Sequence, residues 1–357
     1  MYVHSIRPDS GRNETINLHS GRLEMEVLIV NQKEVRQFLP MGECMDIMAD
    51  VLKTLSQENA LNPLRWAMWL PDRRGLLGMM PGYLGDSEIM GLKAVSVFPA
   101  NHAIEHDSHQ GTVLIFETKN GRLLAIVDAS EITAIRTAAV SGVATKLLAN
   151  NNAADLAILG SGVQARSHLE AMLVARKITR VRVWSRSQEH AERFAERESK
   201  QHDLRVDPMS TVQGAVQGAE IICTTTSATE PILNGDWIAS GAHINAVGSS
   251  VAFARELDTA AVARSRLFVD RRESTINEAG DFLFAKKEGA IDDDHILAEL
   301  GEILLGKSEG RETRAEVTLF KSLGLAVEDI ASAHHIYKKM REAGKGRWLE
   351  IGGMKPV

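Results

Sequence analysis

The length, composition and charge of the chain predict a soluble, cytoplasmic protein with more than one domain. Its 357 residues exceed what one hydrophobic core usually organises, 44% of them are hydrophobic, and the net charge of −6 argues against a nucleic-acid partner. The two cysteines lack metal-ligand or redox spacing and no apolar segment reaches the length of a membrane span, so neither a metal nor a membrane partner is expected.

Short strands dominate the first predicted region. Residues 1–26 are polar without an apolar period and are predicted to form a flexible N-terminal extension. A strand at residues 26–30 and an amphipathic helix at about residues 41–55 follow. Between residues 64 and 127 the apolar pattern alternates and breaks at glycine and proline, which predicts several strands of an antiparallel or mixed sheet.

A long helix leads into a second region with a different rhythm. Residues 128–149 carry a helical apolar stripe, with Thr133 as a candidate N-cap. From residue 154 strands alternate with helices, so the predicted fold class is α/β, a Rossmann-type parallel sheet domain plus a second α+β domain. The predicted boundaries are 27–140 for the α+β domain, 141–325 for the Rossmann-type domain, and 326–357 for a C-terminal helix that returns to the first domain.

A glycine-rich sequence at the start of the second region is typical of dinucleotide binding. Four apolar residues lead directly into G-x-G-x-x-A, and residues 166–175 have the pattern of a helix. The first glycine permits a tight turn, the second lets the backbone approach a pyrophosphate, and the alanine lets the helix pack close to the strand. The predicted cofactor-binding residues here are Gly160, Ser161, Gly162, Val163, Gln164 and Ala165.

The end of the next predicted strand favours NADPH as the coenzyme, with NADH possible. A site for NAD usually offers an acidic residue there to bond the ribose 2′-hydroxyl, whereas this chain has Ser185, Arg186 and Ser187. Guanidinium and hydroxyl groups are donors that suit a 2′-phosphate, although Arg186 could equally be a solvated loop charge. Further along, Thr224, Thr225 and Thr226 follow a strand where the nicotinamide half would pass, or are merely strand residues.

With these motifs in view, the chain resembles the ornithine cyclodeaminase/mu-crystallin family. The motifs that carry the resemblance are residues 78–81, 91–93, 133–139, 160–165, 243–248 and 318–324. The resemblance implies a Rossmann domain joined to a second domain that binds the substrate and forms a homodimer. It also implies substrates that are α-imino or α-amino acids.

The resemblance also implies a set of site residues. Arg65, Lys93 and Arg136 match the two arginines and the lysine that gather around the substrate carboxylate and are the expected catalytic and binding groups. Cations from separate elements would be costly together unless an anion joined them. Thr112 and Ser250 are expected to line the substrate site. Thr137, Val247 and Gly248 are expected on the cofactor.

Two departures from the family pattern disfavour ornithine cyclisation. Family members that act on ornithine carry a glutamate where this chain has Gly78, and an acidic residue where it has Ser249 and Ser250. Without these carboxylates, the proton transfers of a full cyclodeaminase cycle are hard to run. Hydride delivery to a C=N bond needs only a clamped carboxylate and a positioned cofactor. The surroundings of Gly78 also resemble the ketimine reductase branch of the family.

We therefore predict an NADPH-preferring reductase of α-imino acids, which gives an L-amino acid. The imine is cyclic, as in a ketimine carboxylate, or is formed from a 2-oxo acid, as in iminosuccinate. Lys93 either donates the proton to the developing amine or only holds the carboxylate, and His106, His109 and Tyr83 are alternative proton donors. The competing functions are an NAD-dependent alanine-type dehydrogenase, a cyclodeaminase-like lyase, and a non-catalytic NADP-dependent ligand-binding protein.

Overall fold

The computed structural model describes residues 26–103 and 105–351. The predicted N-terminal extension therefore lies, except for Glu26, outside the described residues. The strands are β1 (Glu26–Val30), β2 (Ala60–Leu61), β3 (Trp66–Trp69), β4 (Leu76–Leu84), β5 (Ile89–Val97), β6 (His109–Glu117), β7 (Leu123–Asp128), β8 (Asp155–Leu159), β9 (Arg180–Trp184), β10 (Val206–Met209), β11 (Ile221–Thr224), β12 (His243–Ala246), β13 (Arg266–Val269), β14 (Ile296–Glu299), β15 (Thr318–Lys321) and β16 (Arg347–Glu350). The α-helices are α1 (Gln32–Phe38), α2 (Met41–Ser56), α3 (Ala129–Leu148), α4 (Val163–Ala175), α5 (Gln188–His202), α6 (Val212–Val216), α7 (Thr259–Ala263), α8 (Arg272–Glu278), α9 (Gly280–Lys287), α10 (Leu300–Leu304) and α11 (Ala326–Glu342).

The first sheet is mixed and carries helices on one face. Its strand order is β16-β1-β7-β6-β5-β4-β2, and β3 pairs with β4 as well. The pairings are antiparallel except that of β1 with β7. Helix α11 packs on β4, β5 and β6, and α2 packs beside it. Because side chains alternate along a strand, only every second residue of β4, β5 and β6 faces these helices.

The second sheet is parallel, with the order β10-β9-β8-β11-β12-β15-β13-β14. The chain starts at β8 and moves outward to β9 and β10, then returns to the other side of β8 with β11. This reversal of strand order next to β8 opens a crevice at the carboxyl ends of the strands, where doubly wound sheets bind dinucleotides. The predicted α/β fold class with a Rossmann-type sheet is confirmed.

Helix α3 lies between the two sheets and is buried on nearly all sides. It packs on α2 and β6 of the first sheet and on α4, β12 and β15 of the second. A surface helix has one apolar stripe, whereas α3 has small apolar residues all around, as a buried helix requires. Its N-cap is Asp128, whose carboxylate accepts the N–H of Glu131, so the prediction of Thr133 as the cap is wrong.

Candidate active site

The glycine-rich sequence forms the turn from β8 into α4 at the crevice of the parallel sheet. Gly160 has φ +122°, and a Cβ there would lie 2.7 Å from Thr225 Oγ1 and 2.8 Å from Thr225 O, so only glycine fits. Gly162 is the N-cap of α4, and a Cβ there would meet no atom within 4 Å. The space beside the start of α4 is therefore open, as an incoming phosphate requires. Ala165 is fully buried against the sheet, whereas the side chain of Val163 is exposed.

Helices α3 and α4, next to this turn, each carry a buried polar atom without a hydrogen-bond partner among the described residues. Gln164 donates from Nε2 to Thr133 O of α3, but its Oε1 is buried and has no hydrogen-bond partner among the described residues. Thr137 Oγ1 on α3 is likewise buried and unpaired within the described chain. Buried hydroxyl and amide groups are normally hydrogen-bonded, so these two atoms fit a bound dinucleotide. The Thr137 hydroxyl can donate to a phosphate, whereas Gln164 Oε1 is an acceptor and suits a donor such as a ribose hydroxyl.

The loop after β9 supplies the predicted groups for a 2′-phosphate. Ser185 Oγ accepts a hydrogen bond from Ser161 Oγ at 2.9 Å, which ties this loop to the glycine-rich turn. Arg186 is exposed and forms no ion pair with a described residue. Ser187 instead caps α5, because its Oγ accepts the N–H of His190.

A buried glutamate gathers the predicted residues at the ends of β11 and β12. Glu256 Oε1 accepts from Thr226 N and Thr226 Oγ1 at 2.6 and 2.7 Å, and its Oε2 accepts from Thr224 Oγ1 and Gly248 N at 2.7 and 2.8 Å. Burial raises the pKa of Glu256 and these hydrogen bonds oppose the rise. Thr225 Oγ1 donates to Leu159 O of β8. Val247, itself buried, lies between these residues and the end of β12.

A second buried pair holds the loop that carries Ser250. Lys321 Nζ lies 2.8 Å from Asp281 Oδ2 and also donates to the backbone oxygen of Ser249. Asp281 Oδ1 accepts the backbone N–H groups of Glu256 and Leu257. These bonds fix the loop between residues 248 and 257 at both ends. Ser250 lies in this loop and is half-buried.

Lys93 and Arg136, which belong to different elements, share one buried carboxylate. Asp329 Oδ1 lies 3.1 Å from Lys93 Nζ and 3.0 Å from Arg136 Nε. Lys93 Nζ also donates to Thr133 Oγ1 at 2.6 Å, and Arg136 Nη1 donates to Glu328 Oε2 at 2.9 Å. Burial lowers the pKa of Lys93 to about 8, and the negative charge of Asp329 opposes this shift.

Arg65 reaches the same region from the start of β3 and joins the two sheets. Its Nε lies 2.8 Å from Glu278 Oε2 at the end of α8, and its Nη2 donates to Leu323 O after β15. Arg136 approaches the next residue, Gly324, so closely that a Cβ there would lie 2.3 Å from Nη1. The residues at 323 and 324 therefore lie against both arginines.

The three cations are compensated by the protein itself. Asp329, Glu328 and Glu278 form ion pairs with them, and the carboxylate of Asp270 accepts the N–H groups of Leu323 and Gly324 nearby. We call this group of three cations and four carboxylates the charge cluster. Four negative groups face three positive ones, so the cluster does not need a substrate anion to exist, contrary to the expectation from the sequence.

Along the strands, the sheet carries small residues on one side of Lys93 and is covered by helix α11 on the other side. On the face that carries Lys93, the next row across the strands consists of Ala67, Gly78, Val95 and Gly111. A Cβ at Gly78 would meet Val95 Cγ1 at 3.4 Å and no helix. In the other direction α11 covers the sheet, because a Cβ at Gly82 would lie 2.9 Å from Ile330 Cδ1. We call the small residues the substrate floor; they contain no charged group.

Several residues expected at the substrate site are not brought to it. Thr112 pairs with Ala94, and Tyr83 with Met90, so both side chains point to the face opposite Lys93. His109 shares the face of Lys93 but lies four residues along the sheet, where its Nδ1 is 3.0 Å from Ser108 Oγ. His106 lines a separate cavity of about 440 Å³ with Asp107, Gln110 and Asp128, none of which belongs to the charge cluster.

Sequence reasoning missed every carboxylate of the charge cluster, and it missed Glu256. Glu328 and Asp329 follow the 318–324 motif directly, in the first turn of α11, where acidic residues are usually explained by the helix dipole. The informative signal was their position between two apolar residues of a helix that is otherwise buried on that face. Asp270 and Glu278 carried no comparable signal. Among the described residues, no three or more His, Cys, Asp or Glu side chains are arranged so that they could hold a metal ion, and no helix is long and apolar enough to cross a membrane.

Comparisons with known proteins agree with this architecture. A sequence model of the ornithine cyclodeaminase/mu-crystallin family matches residues 25–344. The ketimine reductase mu-crystallin of Mus musculus is 43% identical over 277 residues, which are 78% of this chain and 84% of the mouse protein. These matches confirm the predicted resemblance, including its reductase branch.

Two solved structures share the fold over almost their whole length. The Delta(1)-pyrroline-2-carboxylate reductase of Thermococcus litoralis, in complex with NADH and L-proline, has a TM-score of 0.88 and 38% identity and covers 90% of this chain and 99% of its own. An archaeal alanine dehydrogenase dimer with bound NAD has a TM-score of 0.87 and 27% identity over 92% of this chain and 100% of its own. The similarity to these two structures therefore extends over both sheets of this chain.

Proposed function

Because the chain belongs to the ornithine cyclodeaminase/mu-crystallin family, we propose that it reduces the C=N bond of an α-imino acid with NADPH. Its similarity to ketimine and pyrroline-2-carboxylate reductases identifies it as an NAD(P)-dependent oxidoreductase that acts on C=N bonds. The preference for NADPH rests on this chain's own residues. The loop after β9 lacks an acidic group and offers the exposed Arg186, which has no ion-pair partner among the described residues.

The observation that carries the proposal is the position of the charge cluster beside the glycine-rich turn. Thr133 connects the two, because its Oγ1 accepts from Lys93 Nζ and its backbone oxygen accepts from Gln164 Nε2. Bound at the glycine-rich turn and the ends of β11 and β12, the dinucleotide supplies the hydride. A binding protein without catalysis has no need for a buried lysine at this point, since the burial of such a charge is costly.

The chain's own residues account for substrate orientation and for the proton. Arg136 and Arg65 hold the substrate carboxylate with the guanidinium nitrogens that their protein partners leave free, Arg136 Nη2 and Arg65 Nη1. Lys93 holds a proton at Nζ and gives it to the imine nitrogen. Asp329 and Thr133 fix the direction of that nitrogen–hydrogen bond. Ser250 stays a predicted substrate-site residue, whose hydroxyl can donate a hydrogen bond but is a poor base.

The substrate floor favours a compact, uncharged substituent on the α-imino acid. Successive rows on one face of a sheet are about 6.7 Å apart, so a five- or six-membered ring attached to the clamped carboxylate covers the row that contains Gly78. That row has no carboxylate for a second amino group and no cation for a second carboxylate. We therefore propose a cyclic ketimine carboxylate in preference to iminosuccinate or a diamine.

A direct assay of imine reduction, followed by the oxidation of the coenzyme, tests this proposal. NADPH and NADH oxidation is followed with pyrroline-2-carboxylate, piperideine-2-carboxylate, iminosuccinate, and pyruvate with ammonia, and ammonia release is followed with ornithine. We expect fast oxidation of NADPH with the cyclic imines and none of the other reactions at a comparable rate. Turnover of pyruvate with ammonia and NADH would indicate the alanine-type dehydrogenase, and ammonia from ornithine with silent imines would indicate the lyase.

The coenzyme preference is tested in the same assay by Arg186→Ala. A hydrogen bond to a charged group contributes about 1.5–3 kcal/mol, so we expect kcat/KM for NADPH to fall about tenfold or more while that for NADH is unchanged. Arg193→Ala, an exposed arginine on the following helix, is the matched control. An equal loss with both coenzymes would contradict the assignment of Arg186 to the 2′-phosphate.

A homodimer is proposed from the face of the first sheet that the helices leave uncovered. Trp66 is 60% exposed, Met68 48% and Met90 40%. The register places Trp66 beside Met79 and Met68 beside Leu77 on this same face. A contiguous apolar face of this kind on a water-soluble chain marks an interface, and the second copy of the chain is the partner that we propose.

A further inference from the structure

We propose that Glu328 takes up a proton from solution when the substrate carboxylate joins the charge cluster, so that binding leaves the net charge of the cluster unchanged. The inference rests on the proposed function, because it requires an anionic substrate at Arg136. Glu328 does not touch the substrate and acts through Arg136, so it is a positioning residue. The step forms one O–H bond on the Glu328 carboxylate and breaks none in the substrate.

The first argument is the charge count. Arg65, Lys93 and Arg136 carry three positive charges, while Asp270, Glu278, Glu328 and Asp329 carry up to four negative charges (see above). A substrate carboxylate would be a fifth anion in a region where Lys93, Arg136 and three of the carboxylates are almost fully buried. Uncompensated charge is costly to bury, and protonation of a carboxylate is the usual response.

The second argument identifies Glu328 as the carboxylate that responds. Asp329 Oδ1 contacts two cations, Lys93 and Arg136, whereas Glu328 contacts only Arg136 Nη1 and the backbone N–H of Leu325. Glu328 Oε1 is buried and has no partner among the described residues. Asp329 Oδ2 is also buried without a described partner, so a proton on either oxygen displaces no existing hydrogen bond. Asp329 is held ionised by two cations and Glu328 by one, so Glu328 is the carboxylate that takes the proton.

The third argument is the set of charged groups that face Glu328. Arg136 faces it from α3, Asp270 from the end of β13, and Asp329 from its own helix, and the buried thiol of Cys44 faces it from α2. Burial raises the pKa of Glu328 to about 7; Arg136 opposes this shift, and Asp270 and Asp329 add to it. A substrate anion on Arg136 weakens the opposing effect, so the pKa rises further and a proton is bound at a pH above 7.

Titration calorimetry at pH 8 in buffers of different ionisation enthalpy measures this proton directly. The probe is pyrrole-2-carboxylate, which cannot be reduced, added to the full-length enzyme with saturating NADP⁺. We expect wild type to take up about one proton per site more than Glu328→Gln, because Lys93, with a pKa of about 8, takes up protons in both proteins. The uncharged pyrrole-2-carboxamide should cause no uptake with either protein. Glu192→Gln, an exposed glutamate on α5, is the matched control and should behave as wild type.

A second measurement does not depend on the variant. With wild type alone, the Kd of pyrrole-2-carboxylate should rise by up to about tenfold per pH unit above pH 8, because binding then requires a proton that is scarce. A Kd independent of pH, no uptake by wild type, or the same uptake by Glu328→Gln would overturn the inference.

The same preparation is assayed for reduction of pyrroline-2-carboxylate, so the two proposals can fail separately. Turnover without proton uptake overturns the inference and leaves the proposed function intact. Uptake without turnover of any imine overturns the proposed function and leaves the role of Glu328 intact. If neither occurs, both are wrong.

Discussion

In the proposed reaction Lys93 meets two requirements that oppose each other, since it must remain charged to hold a proton and must lose that proton to the substrate. Burial lowers its pKa to about 8, which matches a donor that works near neutral pH. Asp329 and Thr133 keep its Nζ in place without removing the possibility of transfer. A lysine fully paired at the surface would stay charged to a much higher pH and would be a weaker acid.

The pH dependence of the reaction follows from this lysine. The donor must be protonated, so kcat at saturating imine should be constant below pH 8 and fall about tenfold per unit above it. Lys93→Arg, whose guanidinium stays protonated, should be slower but lose this alkaline limb. Lys93→Met should lower kcat by about 10²-fold or more. Retained turnover in Lys93→Met, together with inactive Arg136→Met, would show that Lys93 only holds the carboxylate.

Among the elements, α3 and the short connection after β15 do most to assemble the site. Helix α3 brings Thr133, Arg136 and Thr137 to one side, toward the glycine-rich turn and the charge cluster. The connection after β15 is held by Asp270, which accepts the N–H groups of Leu323 and Gly324. Its backbone in turn receives Arg65 at Leu323 O.

Gly324→Ala tests this connection. Gly324 has φ +80°, and a Cβ there would lie 2.3 Å from Arg136 Nη1, so the arginine must move away from its place. Gly306→Ala is the control, because that glycine has φ +68° but no atom within 4 Å of the added Cβ. Both variants should lose about 1 kcal/mol of stability from the backbone conformation. Only Gly324→Ala should in addition lower kcat/KM for the imine by tenfold or more.

The two variants are compared by thermal unfolding and by steady-state kinetics. Equal melting temperatures and equal activities would contradict the view that residue 324 is fitted to Arg136. A lower melting temperature of Gly324→Ala with unchanged kinetics would mean that Arg136 tolerates displacement.

How far the sequence predicted these elements depended on their periodicity and length. The strands β4 to β7, helix α2 and the β8–α4 turn were predictable because each has a clear apolar period or a glycine pattern with a mechanical reason. Strands β15 and β16 and helix α1 are four to seven residues long, and their apolar residues fit more than one period. Their places are decided by tertiary packing, such as that of β16 on β1.

The site was predictable for its cations and not for its carboxylates. Arg65, Lys93 and Arg136 stand in recognisable motifs, whereas Asp270 and Glu278 lie in the parallel-sheet half and meet Arg65 only because the two sheets are joined. No local pattern encodes a contact between residues more than 200 positions apart. The assignment of side chains to the faces of a strand caused a similar error. Thr112 was expected at the substrate site, but its side chain points to the face opposite Lys93, and a shift of one residue along β6 would reverse that orientation.

At the scale of the whole molecule, the first sheet has different tasks on its two faces. One face supports α11 and the charge cluster, while the other is lined with apolar residues that no described element covers fully. A second copy of the chain packed on that face would stiffen the strands that carry Lys93 and the substrate floor. The proposed dimer and the candidate active site would then both follow from the alternation of side chains along β4 and β5.

Met90→Lys tests this arrangement. Met90 lies on the uncovered face at the start of β5, beside Tyr83, and is already 40% exposed, so a lysine there leaves the packing of the monomer intact. Wild type should elute with twice the protomer mass of 39.1 kDa in light-scattering chromatography, and Met90→Lys should elute as a monomer with a normal circular dichroism spectrum. Val174→Lys, at an exposed apolar residue of α4, should remain dimeric. A dimeric Met90→Lys, or a monomeric wild type, would mean that this face has another partner.

If the monomer of Met90→Lys has a raised KM for the cyclic imine but an unchanged KM for NADPH, the second copy acts on the substrate floor and not on the parallel sheet.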